Sequence, residues 1–220
     1  MSTDTEVKLD LRNTFISMLF ALAASQCAIS GYDNFVSILL SNSCITDFTL
    51  FVPILTHLIL CVVVLTTSWI GWSATFSRKD RPKPEGVFCR DHFILMIDVI
   101  ILGLYFSLVK SLDRVSDLDA SSEVYLMSIV FVFYAIWDLF FSENSFGIMN
   151  RFCNSWLTIL FSIVLVSGAA FMYQSSFKVG EWYLVALIDL LLILTVLLFR
   201  YLSERDLTCN KFRKPEVIDR

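Results

Sequence analysis

Apolar residues come along this chain in six blocks, each bounded by polar or charged stretches. A helix that crosses the hydrocarbon core of a bilayer needs about 17–25 predominantly apolar residues. In lipid every backbone N–H and C=O must be paired within the chain, so a block of this kind is helical. The pattern predicts spanning helices over 14–31, 48–72, 92–109, 124–141, 154–173 and 182–202. The expected fold is all-α, a polytopic membrane bundle of about six transmembrane helices. One membrane domain, 14–202, lies between two polar tails, 1–13 and 203–220.

The stretches between the blocks differ in character. Residues 32–47 contain no Lys or Arg and read as an exterior loop, with the apolar patch Phe35–Leu40 lying along the interface. The stretch 77–90 carries Arg78, Lys79, Arg81, Lys83 and Arg90, and its two prolines and one glycine forbid a continuous helix. An acidic turn is expected over 110–123, with shorter turns over 142–153 and 174–181. Pro53 falls inside the second block, where a kink is tolerated if neighbours satisfy the freed carbonyl. The first block has a rival reading. Lys8 and Arg12, a short apolar run and Ala21-Leu22-Ala23 resemble a cleavable signal peptide, against which stand the acidic start and the apolar residues that continue past the site.

Small residues recur at helical spacing in two blocks. Ser17, Ala21, Ala24, Ala28 and Gly31 form one stripe, and Ser155, Ser162 and Ala169 another. Such stripes let helix backbones approach closely in lipid, within one chain or between copies in a homo-oligomer.

Composition supports the same picture. The chain is 56% hydrophobic and 17% charged, where a soluble domain has about 45–50% and about 25%. No long basic surface forms outside the membrane, which argues against nucleic acid as a partner. The placement of the cations sets the orientation. With both termini cytoplasmic, 14 of the 17 Lys and Arg lie inside, as the positive-inside rule requires. Trp69, Trp72, Trp137 and Trp156 then fall near the inner boundary. The six cysteines are badly placed for bridging, and no disulfide framework is expected.

Ionisable residues within a span are costly, and each asks for a partner or a role. Asp98 and Asp138 lie near the inner ends of the third and fourth blocks, with Tyr105 and Tyr134 on their respective faces. They read as the lining of a shared inner vestibule for a proton or cation, or more plainly as acids bonded to interfacial Lys, Arg or backbone. His57 and Asp189 sit at similar depth in the outer half of the second and sixth blocks. They read as a proton relay, since imidazole titrates near neutrality, or as a structural inter-helix hydrogen bond. His57 and Cys61 have the i, i+4 spacing of metal ligands, but two ligands are not a site and no metal is expected. The cations Arg78, Lys79, Arg81 and Lys83, with Lys211, Arg213 and Lys214 of the tail, are candidates for contact with anionic lipid or a cytosolic protein partner. There is no Gly-rich phosphate loop, HExxH or GxSxG elbow. The chain reads as a non-enzyme without cofactor.

The run SWIGW before the basic loop, the helix bearing Asp98, and YAIWDLFF closing the fourth block resemble in layout the membrane subunits (KwaA) of the Kiwa anti-phage defence system. The resemblance is one of a small polytopic protein with short loops and no catalytic domain, and it carries over no site residues. It implies a bacterial inner-membrane protein acting with a cytosolic partner subunit. Two functions are therefore carried forward. One is a non-enzymatic membrane sensor or anchor for a cytosolic partner. The alternative is a small ion, proton or solute transporter or channel that uses the intramembrane Asp and His residues. Asn in place of Asp98 and Asp138 abolishes activity only in the second.

Overall fold

The computed structural model describes residues 3–40, 44–76, 90–112, 120–141, 155–174 and 181–213. They form six helices: α1 (Thr3–Leu40), α2 (Cys44–Phe76), α3 (Arg90–Lys110), α4 (Ser121–Phe141), α5 (Trp156–Gln174) and α6 (Trp182–Arg213). No strand occurs among the described residues. Each helix contains a segment long and apolar enough to cross a membrane: 14–38, 49–73, 92–110, 121–139, 156–173 and 182–203. The protein is a six-helix, multi-pass membrane bundle.

The surface shows why the solvent is lipid. Ile163, Val164 and Leu194 are about 60% exposed, and Leu187, Leu190 and Leu191 about half exposed. Meanwhile His57, Glu123 and Asp189 are wholly buried. Apolar side chains outward and ionisable ones inward is the reverse of a water-soluble domain.

The helices close into a ring. α1 packs on α2, α2 on α6, α6 on α5, α5 on α4, α4 on α3, and α3 on α1, with α2 and α3 touching across the middle. Tyr105, Phe131, Leu60, Leu108 and Met127 fill the interior. Phe131 also stacks on Phe161 of α5 and meets Phe199 of α6 edge-on, locking three helices together.

Two expectations are corrected. The stretch 32–47 is not a loop up to its apolar patch. α1 runs on through Leu40, so Phe35–Leu40 is helical and packs on α2. Phe35 lies 5.5 Å from Phe51, centroid to centroid, and Ile38 joins a small cluster with Ile54 and Val185. Nothing between Gly31 and Leu40 breaks a helix, and Gly31 itself gives up its side chain to the packed Leu58. The small-residue stripe of α1 meets its neighbours only in part: Gly31 is buried against Leu58, and Ala24 and Ala28 line a groove with Leu58 and Val62 of α2. Ile16, Ala23, Cys27 and Gly31 face inward, while Ala21, Ala24 and Ala28 are exposed. The stripe on α5 does face inward, and Ser162 donates to the Phe131 carbonyl of α4 at 2.7 Å.

The span in α1 is among the less apolar ones, and its polar groups bond along the helix itself. Gln26 donates to Ser30, Asn34 to the Ser30 carbonyl, and Ser37 to the Asn34 carbonyl. Thr66, Thr67, Ser107 and Thr195 do the same to carbonyls four residues back, which makes hydroxyls tolerable in lipid. Cys27 and Cys61 are buried free thiols.

Candidate functional site

The polar interior divides into two levels. At one end of the bundle, α2, α3, α4 and α6 bring His57, Ser111, Glu123 and Asp189 together. At the other, α2 to α5 gather Ser68, Asp98, Tyr105, Tyr134, Trp137, Asp138 and Thr158.

The first level begins at Pro53. It has no N–H to give to the preceding turn, and its own carbonyl lies 3.0 Å from the Thr56 hydroxyl. Thr56 Oγ1 is also 2.8 Å from Asp189 Oδ2 and donates to it. The next residue, His57, points at the end of α3. Its Nε2 is 3.0 Å from the Leu108 carbonyl and 3.3 Å from Ser111 Oγ. Leu108 lies in the last turn of α3, and its carbonyl also accepts the Ser111 backbone N–H at 3.2 Å. The Ser111 hydroxyl donates to the same carbonyl at 2.6 Å. A carbonyl only accepts, so Nε2 carries hydrogen and Nδ1 is turned to the carboxylates.

Those carboxylates come from two further helices. Glu123 lies in the first turn of α4, where a negative charge is favoured by the helix dipole. Its Oε1 is 3.1 Å from His57 Nδ1, and Asp189 Oδ1 is 3.7 Å from the same nitrogen. All three side chains have zero exposure. The short contacts are not aligned as hydrogen bonds. His57 Nδ1, both Glu123 oxygens and Asp189 Oδ1 remain buried without a hydrogen-bond partner. One ligand-capable atom from each residue falls within 4.8 Å of the others.

Charge makes this arrangement unusual. Two ionised carboxylates facing a bare imidazole lone pair, away from water, would be strongly unfavourable. The cluster is coherent only with positive charge among its atoms, brought by protons or by a cation.

At the second level the hydroxyls of Tyr105, Tyr134 and Ser68 meet. Tyr105 donates to Ser68 at 2.6 Å, Ser68 and Tyr134 are 2.5 Å apart, and the two phenols bond to one another. Asp98 accepts from the Trp137 indole N–H at 2.9 Å. Asp138 accepts from Thr158 of α5. The two phenols thus converge, whereas the two acids turn to different partners, one on α4 and one on α5. Those donors are an indole and a hydroxyl, and the charge of Arg200 also acts on Asp138.

The pairing of His57 with Asp189, expected from depth alone, is present in space because α2 and α6 are close neighbours. Glu123 was assigned to a turn and missed. A signal for it exists: Ala120, Glu123, Met127 and Val130 share the buried face of α4, so the acid is in register with core positions. Arg78, Lys79, Arg81, Lys83 and Lys214 lie outside the described residues, as do the side chains of Lys211 and Arg213. No family model, no curated protein and no solved structure matches the chain.

Proposed function

We propose that this multi-pass membrane protein is a non-enzymatic sensor and anchor whose responding element is the His57–Glu123–Asp189 cluster. The observation that carries the reading is the convergence, in a wholly buried place, of four polar atoms from three helices that face one another without hydrogen bonds. Gain or loss of positive charge there changes what holds α2, α4 and α6 together, and His57 couples the same change to the end of α3. The element is therefore cation-responsive, with proton and metal as the two carriers of charge.

The ends of the chain are the output. Six crossings put both termini on one side, and the distribution of Lys and Arg makes that side the cytoplasm. Both terminal helices run past their spans. α1 adds residues 3–13 and α6 adds 204–213, each about 15 Å of helix. The extension of α6 includes Lys211 and Arg213, suited to a cytosolic partner or anionic headgroups. A bacterial inner membrane and a role in anti-phage defence follow from the resemblance in layout to Kiwa membrane subunits.

The transporter reading needs a route to the acids. Zero exposure of all three cluster residues supports the sensor instead. Reconstitution in vesicles loaded with a pH dye, under an imposed pH gradient, tests the two. The sensor shows no proton flux above empty vesicles, and hydrogen exchange in 108–112 and 120–124 changes with pH in the native chain but not in Asp189→Asn. Flux that Asp189→Asn abolishes establishes the transporter.

A further inference from the structure

We infer that His57, Glu123 and Asp189 bind one divalent transition-metal cation of the zinc class between α2, α4 and α6. The inference rests on the reading of this cluster as cation-responsive and names the cation.

Charge balance points to a divalent ion. Two carboxylates and a neutral imidazole carry two negative charges, which one divalent cation cancels in a place where net charge is costly. A monovalent cation leaves one charge over. Two protons also balance, and they are the competing solution.

Distances point the same way. Zinc binds His nitrogen and carboxylate oxygen at about 2.0–2.2 Å in tetrahedral sites, which puts ligand atoms about 3.3–3.5 Å from one another. His57 Nδ1 stands 3.1 Å from Glu123 Oε1 and 3.7 Å from Asp189 Oδ1. These values straddle the ligand spacing, and the set as a whole lies within 4.8 Å, so Glu123 and Asp189 draw together by about 1 Å when they share an ion. The second Glu123 oxygen, also unpartnered, supplies a fourth donor.

The atoms behind the ligands are arranged as metal sites require. A metal-bound histidine gives its other N–H to a carbonyl or carboxylate, fixing the tautomer. Here Nε2 faces the Leu108 carbonyl at 3.0 Å. Thr56 Oγ1 donates to Asp189 Oδ2 at 2.8 Å, which leaves Oδ1 for the ion. An imidazole and few oxygens select against calcium and magnesium, which take six or more oxygen ligands or retain water. Three residues hold the ion, the second Glu123 oxygen takes the fourth position, and the zero exposure of all three side chains closes the site to solvent.

The test uses the full-length chain purified in detergent. It is stripped with a chelator and titrated with Zn²⁺ alone against a chromophoric zinc indicator. The native chain takes up about one Zn²⁺. Asp189→Asn and Glu123→Gln, near-isosteric changes, bind at least tenfold more weakly, and Thr56→Val about tenfold more weakly. X-ray absorption at the zinc edge of the native protein shows nitrogen and oxygen at about 2.0–2.1 Å and no sulfur. This readout needs no variant to fold.

Three results overturn the inference: no zinc above the buffer level in the native chain, equal affinity in the variants, or sulfur in the first coordination sphere. If zinc is absent while hydrogen exchange still follows pH through Asp189, the cation is the proton and the sensor reading stands. If neither zinc nor pH has an effect, both fall.

Discussion

Oε1 of Glu123 stands 3.1 Å from Nδ1 of His57, and neither side chain has any surface exposed. The two residues belong to α4 and α2, and Asp189 of α6 completes the contact from a third side. Removing His57 leaves two carboxylates buried and uncompensated, which costs about 3–5 kcal/mol. His57→Ala should destabilise the bundle by that much in a reversible detergent unfolding titration, and Glu123→Ala by less, because a protonated His57 stays paired with Asp189. The triple change His57→Leu, Glu123→Met, Asp189→Leu should cost far less than the sum, because it removes the charges together. Additive losses would mean that the three residues do not act as one unit.

The Tyr105–Tyr134–Ser68 group makes a second energetic unit. Each hydroxyl has the other two as neighbours, so losing one leaves a pair still bonded. Tyr105→Phe and Tyr134→Phe should each cost about 0.5–1.5 kcal/mol. The double variant should cost less than the two together, with a coupling of about 0.5 kcal/mol or more. A double-mutant cycle reads this directly, and zero coupling would count against the shared network.

Asp98 and Asp138 are held by donors that an amide oxygen serves as well. Trp137 and Thr158 each donate to them. Asp98→Asn should therefore keep helical content and stability to within about 1 kcal/mol, since an uncharged hydrogen bond replaces a charged one, and Asp138→Asn should cost more because it also gives up the attraction of Arg200. Trp137→Phe removes the donor itself and should cost more than Asp98→Asn. The reverse order in thermal unfolding would show that the acid has a stronger partner than the indole.

The glycines separate by what lies beside them. A β-carbon at Gly103 or Gly168 meets nothing within 4 Å, whereas at Gly31 it meets Leu58 and at Gly71 the Arg200 guanidinium. Gly103→Ala and Gly168→Ala should gain up to about 1 kcal/mol from helix propensity. Gly31→Ala should gain nothing, and Gly71→Ala should displace Arg200 and lower stability. Four equal gains would show that Leu58 and Arg200 move aside without cost.

What a single pass along the residues could determine was the membrane fold. Spanning a hydrocarbon layer demands a run of apolar residues of set length, a property of contiguous sequence, and five of the six spans were placed to within three residues. What needed three dimensions was adjacency. A helix in lipid is apolar on nearly every face, so no amphipathic stripe says which side meets a neighbour. Of the stripe Ser17, Ala21, Ala24, Ala28 and Gly31, only Gly31 is buried against a neighbour, while Ala21, Ala24 and Ala28 are exposed. Glu123 looked like part of a turn because a charge at the end of an apolar run ordinarily reaches water. Only the packing of α2 and α6 over the first turn of α4 takes the water away, and that is what turns a histidine and two acids on three separate helices into one site.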